Sequence, residues 1–466
     1  MSPTILLVNP PIYDFAAYDM FNKPVGLLYL ASFLRTAGYE VRLVDSLDRN
    51  HPNLPVKGEK DIKTRDNGTG KYHTTIIERP SCLAHVPRYY RRYGLPAEQL
   101  ENILTSEYQN HKPLAVLVTS MMTYWYPAVA DTIQLIGQTN PGIPVGLGGV
   151  YARLMPEHAR ARCRPDVIFS ENHFLPVLKW LDNLSGIDRS YNDISEKFLE
   201  NTIPAYDLYG RLDYITLITS LGCPFSCQYC ASSFLQPHLQ QLTPERFVEQ
   251  LTTLLGLLDK RKSFYNIALM DDALLARPES HIIPVLRRCR EQNLPLRFYS
   301  PNGLHIRFLT RAVAELMYAN RFEMIRLSYE SSDSAGRWQR ASDDKVSDRE
   351  FHESIAYLTD AGYDPCQIEA YILTGLPGQS MSEIETSAKV VHKLGVKIRL
   401  CQFSPIPHTP LFQIACDNYG IDPEEPLLHN NSILPALDKR IGHHVFQQFK
   451  NTVQEMNRDI AVPGIE

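Results

Sequence analysis

Short apolar runs, each followed by a stretch with helical spacing, recur along most of this chain. Residues 4–9, Thr-Ile-Leu-Leu-Val-Asn, are apolar on both sides of a strand. Such a strand must be covered on both faces, which a parallel sheet flanked by helices provides. Pro10 and Pro11 end it. Gly26 to Ala37 carries Leu27, Leu30, Ala31 and Leu34 at helical spacing, and Gly38 closes that helix. Residues 40–45 make a second strand, and Ala115–Ser120, Val145–Gly149 and Asp166–Ser170 three more. Helices are expected over 127–138 and 174–184. Residues 50–112 are polar with little periodicity and read as an insertion. The pattern predicts a doubly wound α/β domain over 1–184, with ligands at the C-terminal ends of its strands.

Residues 185–212 read as a linker. A second series follows, with strands at 214–220, 266–271, 296–301, 324–330, 368–374 and 398–404. Six βα units over 213–412 predict a partial (β/α)6 barrel with its active site on the C-terminal face. Residues 413–466 form a small C-terminal helical extension, in which Phe446, Phe449, Val453 and Met456 line one face of a helix over 441–459.

The bulk numbers exclude some partners. A net charge of -5 on 466 residues gives no general attraction to nucleic acid or anionic membranes. No apolar run is long enough to span a bilayer, and the first residues lack the pattern of a signal peptide. The expectation is a cytoplasmic protein.

Six of the nine cysteines are scattered singly, and three fall in Cys223-Pro-Phe-Ser-Cys227-Gln-Tyr-Cys230, directly after the first strand of the second series. Three thiolates on one loop can ligate three irons of a 4Fe-4S cluster and leave the fourth iron open. A structural zinc site would need a fourth ligand, and no second CxxC or His pair is present. A redox pair of Cys227 and Cys230 would leave Cys223 unexplained. The spacing favours the cluster and leaves the other two open.

CxxxCxxC, with Tyr229 before the last cysteine, resembles the radical S-adenosylmethionine (SAM) superfamily. Other stretches extend the resemblance over 214–412. Met270-Asp271-Asp272 lies where the family binds the amino group of SAM. Leu327-Ser-Tyr-Glu330-Ser331 is similar to a G-x-E-S strand, with Ser328 for the glycine. Gly375-Leu-Pro-Gly-Gln379 is similar to G-x-P-G-[QE]-T, with Ser380 for the threonine. Gln402 to Leu411 resembles P-x-P-G-T-P-L, with His408 for the glycine. The resemblance implies cluster ligation by Cys223, Cys227 and Cys230, and SAM contacts from Asp271, Asp272, Asn302, Glu330, Ser331 and Gly375. Each has a plainer role: Asp271 and Asp272 as a cap and a turn carboxylate, Asn302-Gly303 as a turn, Glu330 in a salt bridge, and His408 as a loop residue or weak acid-base group.

Asn9-Pro10-Pro11, Pro24-Val-Gly26-Leu27 and Leu147-Gly148-Gly149 resemble the Rossmann-like cobalamin-binding domain that precedes many radical SAM barrels. By that resemblance Asn9, Pro10, Pro24, Gly26, Leu27, Ser120, Met121, Gly148, Gly149 and Glu171 would meet cobalamin. No Asp-x-His-x-x-Gly motif is present, and Ser170-Glu171-Asn172-His173 stands where the family has G-E-G-E. In the insertion, Arg88-Tyr-Tyr-Arg-Arg-Tyr93 reads as a solvated helix face with tyrosines packed inward, or as a base- or anion-gripping surface. Ser120-Met-Met-Thr-Tyr-Trp-Tyr-Pro127 reads equally as cavity wall or as core.

The resemblance implies an enzyme that cleaves SAM to a 5′-deoxyadenosyl radical and transfers a methyl group through cobalamin to an unactivated carbon. It implies a small-molecule or lipid-like substrate and an external electron donor such as flavodoxin or ferredoxin. Two other readings stay open: a radical SAM enzyme without methyl transfer, and a non-catalytic iron-sulfur or cobalamin-binding protein.

Overall fold

Strand β1 (Thr4–Asn9) is followed by a short β2 (Ile12–Asp14), helix α1 (Val25–Thr36) and β3 (Glu40–Asp45). The computed structural model describes residues 2–54, 64–194, 197–258, 263–332, 346–437 and 442–460. The chain divides into two units, the first formed by Met1–Ile215 with Leu254–Asp259 and Glu424–Leu428, the second by the remainder.

In the first unit the chain continues through β4 (Thr74–Ile76), β5 (Arg91–Tyr93), α2 (Ala97–His111), β6 (Ala115–Val118), α3 (Tyr126–Thr139) and β7 (Val145–Leu147). It then runs through α4 (Val150–Leu154), α5 (Pro156–Cys163), β8 (Val167–Ile168) and α6 (Leu175–Ser185). Five parallel strands lie in the order β3-β1-β6-β7-β8. The order reverses between β1 and β6, so a crevice opens beyond their C-terminal ends.

The alternation inside β1 explains the two layers. Ile5 and Leu7 point to α1 and α6, meeting Leu27, Leu30, Leu34, Val177 and Leu181. Leu6 and Val8 point the other way, to Leu100 and Leu104 of α2, Val129 and Ile133 of α3 and Ala159 of α5. Each fully buried Leu or Ile contributes roughly 1.5–3 kcal/mol.

Three expectations for this unit need correction. Residues 97–111 of the expected insertion are the crossover helix α2. Its buried stripe is narrow, Leu100 and Leu104, and the polar remainder hides the period. Arg88–Tyr93 is not a helix face: β5 is the middle strand of an antiparallel β2-β5-β4 sheet. There Arg92 is buried, donating to Tyr13 Oη at 2.8 Å and to the Leu95 carbonyl at 2.7 Å. Residues 185–212 do not hang free. They carry α7 (Phe198–Asn201), bury Phe198, Leu199 and Tyr206, and tie Ala205 N to the Leu28 carbonyl at 3.1 Å. Composition marked the segment as polar, but its few apolar residues are spaced to dock.

The second unit's strands begin with β9 (Ile215–Leu217), then β10 (Ser220–Leu221), α8 (Ser232–Leu235), β11 (Gln240–Gln241), α9 (Pro244–Leu255) and β12 (Tyr265–Leu269). Next come α10 (Ile282–Glu291), β13 (Leu296–Tyr299), α11 (Arg311–Ala319), β14 (Phe322–Glu323), β15 (Ile325–Glu330), α12 (Asp348–Ala361) and β16 (Ile368–Thr374). The series closes with α13 (Met381–Lys393), β17 (Lys397–Gln402), α14 (Pro410–Tyr419) and α15 (Gly442–Ile460).

The six expected strands are present, but they bond as two sheets, β14-β13-β12-β9 and β15-β16-β17, linked by a bridge from Leu304 to Leu327. The short β14 takes the pairing edge of β13 that β15 would have used. The last strand's outer edge is occupied by a side chain. Asn457 of α15 accepts from Ile398 N at 2.7 Å and donates to the Ile398 carbonyl at 2.9 Å. α15 thus packs on β17 as part of this unit, not as a separate extension.

Candidate functional site

The loop after β9 carries the three cysteines, none in a disulfide and all partly exposed. Gly222 adopts φ +83 and passes 2.7 Å (from an ideal Cβ) beneath the His238 carbonyl, so a side chain there would collide with backbone. Cys230 N donates to the Cys227 carbonyl at 3.0 Å, which turns the end of the loop.

Side chains fix this loop to its surroundings. Phe225 stacks on His305 at 4.5 Å, and Phe234 lies flat on His408 at 3.9 Å. Leu411 N donates to the Gln228 carbonyl at 3.1 Å. Tyr229 Oη donates to Glu330, which sits at the end of β15 with φ +68, after a register shift. A glutamate in the left-handed region costs about 1–3 kcal/mol, held by its surroundings.

Asp271, expected near the SAM amino group, is turned elsewhere. It is 2% exposed and accepts from Thr219 N at 3.0 Å, Thr219 Oγ1 at 2.7 Å and Ser220 Oγ at 2.6 Å. Thr219 Oγ1 also lies 2.8 Å from His281 Nε2, whose burial lowers its pKa to about 4. With its hydroxyl proton given to Asp271, Thr219 accepts from a neutral His281. This network clamps the strand end that launches the cysteine loop. Asn302 likewise faces the chain, donating to the Met270 and Asp271 carbonyls at 3.2 and 3.0 Å.

The remaining residues differ in exposure. Asp272 is exposed and bonds to Ser232, whose hydroxyl is 3.2 Å from Cys230 Sγ. Ser331 is buried beside Glu330. Gly375 turns with φ +77. Gln379 then holds the Leu373 carbonyl at 3.0 Å, and Ser380 with Glu383 forms the capping box of α13. The serine in place of the family's threonine is therefore a helix cap. Ser328, in place of the family's glycine, is accommodated by Gly303, where an ideal Cβ would lie 2.1 Å from Ser328 Oγ. One missing side chain makes room for the other, a pairing not visible along the sequence.

Burial, and then the Glu330 charge, push the Cys227 thiol up to about 12. Iron must therefore displace a proton to bind there. Among the described residues no three His, Cys, Asp or Glu side chains converge on a single-ion position. The fit to an iron-sulfur cluster rests on the donor set, three partly exposed thiols on one loop.

In the first unit, the expected residues gather at the C-terminal ends of the strands. Asn9 donates to Asp45 at 2.7 Å. Ser120 Oγ donates to the Gly148 carbonyl at 2.7 Å. Gly149, at φ +95, brings the chain so close to Ser120 that a Cβ would sit 2.2 Å from its carbonyl oxygen. Gly26 has no atom within 4 Å of an ideal Cβ, and Gly148 none nearer than 3.8 Å. Met121 and Met122 are exposed beside them. Glu171 is exposed and accepts from Ser170 N at 3.1 Å. Pro10 is buried and Pro24 precedes α1. Leu27 is a correction: it is buried in the α1–α6 core. Of the 120–127 stretch, Tyr124 is core and Met121 and Met122 are surface. Gly26 and Gly148 put no side chain beyond the strand ends, where sheets of this order bind ligands, which fits a bulky cofactor.

Comparison with known proteins agrees with this geometry. The sequence model of the Radical SAM superfamily matches residues 217–391. Cytidylyl-2-hydroxyethylphosphonate methyltransferase from Streptomyces wedmorensis is 20% identical over 492 residues, 91% of this chain and 83% of that protein. Two structures of the radical SAM methyltransferase TsrM from Kitasatospora setae share the fold. The one with cobalamin and a 4Fe-4S cluster bound has a TM-score of 0.63 at 13% identity, over 90% of this chain and 79% of that one. The one with tryptophan substrate and the SAM analogue aza-SAM bound has 0.64 at 13% identity, over 99% and 89%. Residues 217–391 are therefore a radical SAM domain, and its chain has the fold of the TsrM methyltransferase.

Proposed function

We propose that this protein is a cobalamin-dependent radical SAM methyltransferase that methylates an unactivated carbon of a small molecule. The observation that carries the reading is the cysteine loop: three partly exposed thiols, fixed by Glu330 and two ring stacks, at the C-terminal end of the first barrel strand. Cys223, Cys227 and Cys230 would hold a 4Fe-4S cluster. Asp272, Glu330, Ser331 and Gly375, at the ends of neighbouring strands, would bind SAM. Asp271 and Asn302 act one step back, fixing the strand ends. Asn9, Gly26, Ser120, Met121, Gly148, Gly149 and Glu171 would border cobalamin. When bound, these groups supply homolytic SAM cleavage and a methyl carrier. The chain supplies orientation and shields the reacting groups.

Among the described residues no cysteine is in a disulfide, which fits a reducing cytoplasm and an external flavodoxin- or ferredoxin-type reductant. Among the described residues no helix is long and apolar enough to cross a membrane.

The test is product analysis. Protein reconstituted anaerobically with iron, sulfide and cobalamin is given SAM, reductant and candidate substrates. The expected products are S-adenosylhomocysteine together with 5′-deoxyadenosine. Deoxyadenosine alone would point to a radical reaction without methyl transfer. Neither product across the substrate panel would overturn the enzymatic reading.

A further inference from the structure

Strands β15, β16 and β17 present two unlike faces. In parallel register, Leu327, Ala370 and Ile398 share one side, all buried, and beyond a register shift the buried Tyr329 stacks on Phe351 of α12 at 4.2 Å. The other side carries Arg326 and Ser328, Glu369 and Tyr371, and Arg399 and Cys401. The loop after β13 covers this polar side through the Pro301 carbonyl and Gly303, and His305 of the same loop stacks on Phe225 of the cysteine loop.

The polar side is filled at one end and open at the other. Arg326 is 3% exposed and donates to Glu369 at 2.9 Å and to the Pro301 carbonyl at 3.2 Å. Tyr371 Oη donates to the same carbonyl at 3.0 Å, and Gly303 packs against Ser328 and Tyr371. On β17, by contrast, Arg399 and Cys401 are exposed. The Arg399 side chain keeps 50% of its surface while one nitrogen bonds Glu369. Glu369 thus answers two guanidiniums with one negative charge. Of the two guanidiniums, only that of Arg399 is accessible.

We propose that Arg399 anchors an anionic group of the substrate, a carboxylate or a phosphate or phosphonate. The proposal rests on the methyltransferase reading and adds a substrate class to it. A guanidinium pre-oriented by a carboxylate, with half of its surface accessible, is the donor such anions match. Cys401, two residues further along the same face, stands about 6.6 Å nearer the strand end. The anchored end would sit deep, leaving the rest of the molecule toward the cysteine loop. The two named relatives handle molecules of this kind: tryptophan carries a carboxylate, and cytidylyl-2-hydroxyethylphosphonate a phosphate and a phosphonate.

The test is binding to the reconstituted holoprotein without reductant, by equilibrium dialysis. The probes are L-tryptophan against tryptamine, and cytidine 5′-monophosphate against cytidine. The expected result is a preference of about tenfold or more for the anionic member of at least one pair. Arg399→Gln should erase it and Arg399→Lys should keep part of it, with iron content and SAM affinity unchanged. No preference in the natural protein, or a preference that survives Arg399→Gln, would overturn the proposal. So would a loss confined to SAM, which would make the bound anion the carboxylate of SAM itself. Because no turnover is needed, failure of the methyltransferase reading would appear separately, as absent nucleoside products.

Discussion

The strand ends of the two units are finished differently. In the first unit Gly26 has open space and Gly148 only ordinary contact where a Cβ would go, two methionines stand exposed, and side-chain ties are few, from Asn9 to Asp45 and from Ser120 to the Gly148 carbonyl. In the second unit the edge is tied by side chains: Asp271 holds Thr219 and Ser220, Asn302 holds two carbonyls, and Glu330 holds Tyr229. The difference teaches what each edge is for. A backbone-lined crevice admits a large body without committing to its chemistry. A loop carrying reactive thiols must be held in one geometry, and a second layer of hydrogen bonds does that.

The largest effect should come from the tied edge itself. Cys227→Ala should abolish the visible iron-sulfur absorption and all SAM cleavage, because only two thiols remain on the loop. Unchanged absorption would mean the ligands are misassigned. Asp271→Ala comes next. It strands a backbone N–H and two hydroxyls in the interior, so a loss of about 3 kcal/mol or more is expected in denaturant unfolding. Asp271→Asn should recover part of it. If Asp271→Ala unfolds like the natural protein and only weakens SAM binding, the residue meets SAM directly and the clamp is wrong.

At the open edge the effects should be smaller and should split by position. Gly149→Ala must relieve a 2.2 Å contact with Ser120 at a positive φ, and a loss of about 2 kcal/mol is expected. Acid unfolding probes the polar side of the second unit. Burial alone would raise the Glu369 pKa, but Arg399 and Arg326 outweigh it and hold it below the usual carboxylate range. That contribution is present above the unfolded-state pKa of about 4.3 and is lost as pH falls through the lower folded value. Glu369→Gln should flatten this part of a stability-against-pH curve below about pH 4. An unchanged curve would show that the ion pairs do not hold. Gly26→Ala should be the gentlest: a gain of roughly 0.5–1 kcal/mol in stability, from helix propensity. It should nonetheless weaken cobalamin retention. Equal retention would place the cofactor away from α1.

Much of this was readable in the chain. The parallel strands announced themselves because a strand buried on both faces, such as Thr4–Asn9, has no polar alternation to confuse with a loop. The cysteine loop was equally plain, since three like residues within eight positions carry their own spacing. What stayed hidden were properties of three-dimensional neighbours. α2 escaped notice because two leucines suffice to dock it. Leu27 and Gly26 are adjacent in sequence, yet one is core and the other opens to solvent, a consequence of helical phase. Asp271 and Asp272 look alike in the chain, and only the fold shows that the first turns to Thr219 and the second to Ser232. Arg399 gives no signal in the chain because only the fold brings it and Arg326, from strands on either side, to the same Glu369.

The central claim is that the tied edge holds a cluster with one iron left open for SAM. Electron paramagnetic resonance of the reduced, reconstituted protein tests it directly, recorded with and without SAM. The account predicts a 4Fe-4S signal whose g-values shift when SAM is added, and no such signal in Cys227→Ala. A four-iron signal that SAM leaves unmoved, or the same signal in the Cys227→Ala protein, would contradict it.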